Sequence, residues 1–140
     1  MDKAANLIYS DINKGDVYLF KRNISKQDVM DFAKIIGDFN PLHVDADFGK
    51  KNQFKGNIVH GMLAGSLFST LVGMHCPGEK SLYISQTLDF RHPIYHEDTV
   101  IVKGTVIDKS DAIRIITLKT EILKDGKLII DGEAKVKVLE

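Results

Sequence analysis

"HGMLAGSLFSTLVGMH", residues 60–75, carries no acidic or basic chain, and where it sits decides the fold. The run extends beyond the quotation, since no Asp, Glu, Lys or Arg occurs from Gly56 to Gly78. Its length alone would allow a membrane span. Its five glycines, two histidines, Asn57, Ser66, Ser69, Thr70 and Pro77 make it too polar for that. A helix that is apolar on most sides is instead enclosed by its own protein. The run therefore predicts a central helix, ended by "PGEK" (77–80).

The chain that follows reads as the enclosing layer. "SLYISQTLDFR" (81–91) alternates in part, and "DTVIVKGTVID" (98–108), "AIRIITLKTEIL" (112–123) and "KLIIDGEAKVKVL" (127–139) are rich in β-branched residues. Polar turns at Ser110-Asp111 and Asp125-Gly126 join the last three, and the second is a strong hairpin signal. Upstream, "DVYLFKRN" (16–23) reads as a strand and "SKQDVMDFAKIIG" (25–37) as a helix. Ser25 fits its N-cap, Asp28 complements the helix dipole, and Gly37 fits the C-terminal cap. Val29, Phe32, Ala33 and Ile36 share one face. A further helical turn is expected near Asp47 to Lys51. The pattern is α+β, with an antiparallel sheet curved around the uncharged helix.

A chain of 140 residues, 44% hydrophobic and 27% charged, fits one globular domain over 1–140. Nineteen Lys and Arg balance nineteen Asp and Glu, so no bulk charge draws the chain to nucleic acid or to an anionic membrane. Cys76 is the only cysteine, which excludes an intrachain disulfide. The N-terminal residues lack the apolar core of a signal peptide, so a cytoplasmic location is expected.

Between the two helices lies "GDFNPLHVD" (37–45). Asp and Asn before a proline are ordinary turn formers. Yet Gly37 ends the helix abruptly, and Pro41 holds Asn40 extended, so the loop is stiff. A carboxylate and an imidazole on such a loop, Asp38 and His43, suit the sharing of one water and its proton near neutral pH. Spacing alone does not show that they converge. Downstream, Gly61 lies near the start of the uncharged helix. Its backbone could approach a substrate oxygen closely, or the glycine could serve packing only.

Together, "GDFNPLHVD" and "FKGNIVHGMLAGSLFS" (54–69) resemble the (R)-specific enoyl-CoA hydratases of the MaoC-like group, over nearly the whole chain. The resemblance implies a hot-dog fold, an antiparallel sheet wrapped around a long central helix. It implies reversible addition of water to a trans-2-enoyl-CoA, giving an (R)-3-hydroxyacyl-CoA, by homodimers with sites near the interface. Carried over, Asp38 and His43 match the catalytic pair, Gly61 the amide that holds the thioester carbonyl, Asn40 the motif's asparagine, and Ser69 a serine that shapes the site. No cofactor is expected, CoA being part of the substrate. Gly49, where the family often has alanine or serine, and His96, where glycine is common, depart from the pattern.

An acyl chain running along the central helix would meet Phe68, Leu71, Val72 and Met74, which plain core packing explains as well. Lys50, Lys51, Lys55 and Arg91 are available for CoA phosphates. A hot-dog acyl-CoA thioesterase would use the same parts on the carbonyl carbon, and a non-catalytic acyl-CoA-binding module would need only the pocket. No metal site is expected: His92 and His96 are four residues apart, but Pro93 argues against a shared helix.

Overall fold

The computed structural model describes residues Met1–Glu140, and the uncharged run forms α4 (Gly61–Thr70), continued by a wider turn over Leu71–His75. In that turn the Cys76 N–H reaches back five residues to the Leu71 carbonyl, 3.0 Å away. Phe68 and Leu71 are fully buried, and Ala64 and Val72 nearly so. Each such large side chain contributes on the order of 1.5–3 kcal/mol when taken from water. That is why the uncharged segment lies inside. Met62, Ser66, Ser69 and Thr70 face outward along the same helix. No helix is long and apolar enough to cross a membrane.

The sheet follows from alternation. β1 (Val17–Ile24), β2 (Ser81–Gln86), β4 (Asp98–Ser110), β5 (Ile115–Lys124) and β6 (Lys127–Val138) lie in the order β1-β4-β5-β6-β2. The short β3 (Asp89–Phe90) pairs with β6, and every pairing is antiparallel. Val100, Val102 and Val106 of β4 and Ile116, Leu118, Thr120 and Ile122 of β5 point inward. Asp125 and Gly126 turn the β5–β6 hairpin as expected, with Lys124 opposite Lys127. The preceding turn is longer than the sequence suggests. Ser110 pairs with Ile115, so β5 starts after Arg114, whose φ of 53° breaks the strand.

Three helices lie between β1 and α4: α1 (Lys26–Ile36), α2 (Pro41–Val44) and α3 (Ala46–Lys51). The α1 cap is reciprocal. Ser25 Oγ accepts from the Asp28 N–H at 3.0 Å, and the Asp28 carboxylate accepts from the Ser25 N–H at 2.9 Å. The helix packs through Val29 and Ala33, whereas Ile36, expected on the same face, is half exposed at the last turn. Gly37, at φ 78°, ends it and donates its N–H to Ala33 O.

Two substitutions test this packing. Ser25→Ala should lower the unfolding free energy by about 1 kcal/mol in urea titrations, through loss of the cap. Phe68→Ala should cost about 3–5 kcal/mol in the same titration, because it empties the centre of the core.

Candidate active site

Asp38 leaves α1 immediately after Gly37, and two local bonds fix its direction. Asp38 Oδ1 accepts the Asn40 N–H at 3.1 Å. Asn40 Oδ1 in turn caps α2 by accepting the Leu42 N–H at 3.0 Å, with Pro41 at the first helical position. Asn40 thus orients the loop. His43 sits on the short helix that this cap starts.

The His43 ring is held from the other side. Its Nδ1 lies 2.8 Å from Ile58 O. A carbonyl only accepts, so Nδ1 carries the proton and donates. Nε2 remains free, 4.0 Å from Asp38 Oδ2. That gap is too long for a direct hydrogen bond, and one water bonded to both groups spans about 4–4.5 Å. The His43 side chain is 13% exposed and that of Asp38 46%, so the gap opens toward the carboxylate.

His60 completes the cluster. It directly precedes α4, and its Nε2 lies 3.0 Å from the Asp38 backbone carbonyl and 3.9 Å from Asp38 Oδ2. Its ring stacks on His43, with centroids 3.8 Å apart and planes 26° apart. Phe32 of α1 meets it edge-on at 5.2 Å. The sequence reading did not single out His60. The signal that could have found it is a histidine in a run that is otherwise uncharged and buried.

Asp38, His43 and His60 each offer a ligand atom within 4.8 Å of the others. As a metal site the trio fits poorly. The Asp38 carbonyl requires an N–H, not a lone pair, at His60 Nε2. His92 and His96 belong to no such cluster.

Gly61 opens α4, and its N–H donates to no acceptor within the chain. A Cβ at this position would lie 2.8 Å from the half-exposed Phe90 ring and would push it aside. Beside it is an open, mostly apolar cavity of about 480 Å³, lined by Gly61 together with Phe54, Ile58, Met62, Phe90 and Ile94 among others. Asp38 and His43 are not in that lining. Neither are Phe68 and Val72, the candidates for an acyl pocket; both are core residues here because α4 and the wider turn after it direct them toward the sheet. Ser69 is exposed near the far end of α4, about two turns from Gly61, and is not brought to the pair within the chain.

A second cavity, of about 900 Å³, adjoins the first through His92 and Pro93 and is lined by Lys26, Lys55, Lys124 and Lys127. Of the cations considered for phosphate, only Lys55 lies there. Lys50 and Lys51 are exposed on α3, and Arg91 is engaged by Asp131 through two bonds of 2.7 and 3.1 Å. That guanidinium holds the Asp131 carboxyl below the usual range.

Both departures from the family pattern have a local setting. The Gly56 backbone crosses Gly49 so closely that a Cβ there would collide with its carbonyl. Burial lowers the His96 pKa, and its Nε2 is buried without a partner. The neighbouring acidic turn is anchored, with Glu97 accepting the Lys26 N–H at 2.8 Å and Asp98 the Tyr95 N–H at 2.8 Å.

Known proteins resemble this chain in sequence and in fold. The family described as "MaoC like domain" matches residues 12–135. The chain is 41% identical over 123 residues to the (R)-specific enoyl-CoA hydratase of Aeromonas caviae, covering 84% of this chain and 92% of that protein. It is 37% identical over 132 residues to a 3-hydroxybutyryl-CoA dehydratase of Methylorubrum extorquens, covering 94% of this chain and 84% of that protein. The unliganded R-hydratase PhaJ1 of Pseudomonas aeruginosa superposes with a TM-score of 0.93 at 32% identity, over 99% of this chain and 90% of that one. The fold is the hot-dog fold of these hydratases, and the chain belongs to the MaoC-like domain family.

Proposed function

We propose that this protein is an (R)-specific enoyl-CoA hydratase, adding water reversibly to a trans-2-enoyl-CoA to give an (R)-3-hydroxyacyl-CoA. The observation that carries the reading is the 4.0 Å gap between Asp38 Oδ2 and His43 Nε2. With His43 Nδ1 committed to Ile58 O, both groups facing the gap are acceptors. One water donates a hydrogen bond to each and keeps its lone pairs for the alkene. The thioester oxygen takes the free Gly61 N–H, which polarises the double bond and stabilises the enolate that forms. As the water oxygen bonds to the β-carbon, Asp38 takes its proton. The same proton then reaches the α-carbon, from Asp38 directly or after passing to His43 Nε2, while the other water proton stays on the new hydroxyl.

The rest of the substrate has room nearby. The apolar cavity beside Gly61 suits the acyl portion, and Lys26, Lys55 and Lys127 of the adjoining cavity suit the phosphates of CoA, Lys124 being held by Asp98 at 2.7 Å. A homodimer in the cytoplasm is part of the proposal. Its support is the half-exposed Leu82 and Ile84 on the edge strand β2, together with the outward Met62 on α4.

Hydration of crotonyl-CoA, followed by loss of enoyl-thioester absorbance, tests the reading. The wild-type protein should turn over and yield the (R) product. Asp38→Asn and His43→Gln should each lower kcat on the order of 10²–10⁴-fold. Unchanged rates in both variants, or faster release of free CoA from a saturated acyl-CoA, would contradict it. The second outcome would favour a thioesterase.

A further inference from the structure

His60 is a buried polar residue to which the proposed chemistry gives no task. It stands where helices prefer Ser, Thr, Asp or Asn, whose side chains cap the first free N–H groups. The His60 side chain caps nothing; its carbonyl takes the Leu63 and Ala64 N–H groups, and the Gly61 N–H stays open. The ring turns back instead toward the loop that carries Asp38. Its Nε2 meets the Asp38 carbonyl at 3.0 Å, and its face lies on His43 at 3.8 Å. Nε2 has only acceptors before it, so the proton is there, and Nδ1 is left as a buried lone pair without a partner.

We propose that His60 is a positioning residue for the acid/base pair. Its Nε2–H pins the backbone of Asp38, so that the carboxylate cannot swing away from His43. Its ring face, held edge-on by Phe32, keeps the His43 imidazole in the plane that aims Nε2 across the gap. The same residue begins the helix whose first N–H groups await the thioester, so one side chain ties the water site to the oxyanion site. The inference rests on the hydratase reading for its kinetic consequence, but not for its geometry.

Two variants separate the donor from the ring. His60→Phe keeps an aromatic face on His43 and removes the donor. It should lower kcat about 10–100-fold with KM within about threefold of wild type, as expected for a misplaced catalytic group. His60→Gln restores a donor near the Nε2 position and should recover kcat to within about fivefold of wild type. Nitrogen-15 imidazole spectra of the wild-type protein near about pH 8 read the geometry without turnover, and should show His60 protonated at Nε2 and His43 at Nδ1. His60→Phe at wild-type kcat, His60→Gln as slow as His60→Phe, or His60 protonated at Nδ1 would each overturn the proposal. If His60→Phe does not fold, the glutamine variant and the spectra decide, and a glutamine variant below about a tenth of wild-type kcat counts against it. A wild-type protein with these tautomers but no hydration of crotonyl-CoA would refute the hydratase reading and leave the placement of His60 standing.

Discussion

Three hydrogen bonds between residues 38–43 and 58–60 hold the site together: His43 Nδ1 to Ile58 O, the Ile58 N–H to Leu42 O, and His60 Nε2 to the Asp38 carbonyl. None of these partners is close in sequence. The lacing exists because α4 is enclosed by the sheet and brings residues 58–60 with it, and Val59 N–H secures that strip to Ile94 O at 2.7 Å. A hydrogen bond of this kind is worth only about 1 kcal/mol net, but leaving a buried partner unsatisfied costs about 1–3 kcal/mol. The loop therefore has one arrangement that satisfies its groups, and that arrangement sets the distance between carboxylate and imidazole.

The proposed chemistry uses what the folding leaves open. An ordinary N-cap side chain would take the second or third N–H of the helix. Here the residue before α4 turns its side chain elsewhere, and the Gly61 N–H has no acceptor in the chain. Enclosure supplies the rest, because a rigid helix with a buried flank fixes the free N–H relative to the sheet. Dipoles fixed in this way stabilise developing charge without having to reorganise during the reaction.

Much of this was legible in the sequence. Ser25, Asp28 and Gly37 mark the ends of α1 by cap chemistry that is local, so the residues themselves carry the information. The uncharged run predicted the enclosed helix, and the Asp125-Gly126 turn predicted the hairpin. Other features depend on distant contacts. The stacking of His60 on His43 joins residues seventeen apart through the packing of α4, and no local pattern encodes it. Periodicity marks Phe68 and Val72 as buried but does not say whether a buried face lines a cavity or fills a core, and here both fill the core. The turn after β4 runs longer than its residues suggest because Arg114 adopts a positive φ that its side chain does not announce.

Asp38 and His43 face one another across a space that suits a single water. The direct measurement is a crystal structure that resolves ordered solvent at neutral pH. A water is expected within about 3.2 Å of both Asp38 Oδ2 and His43 Nε2. Side chains turned apart, the two groups in direct contact with no water between them, or a metal ion in the gap would contradict it.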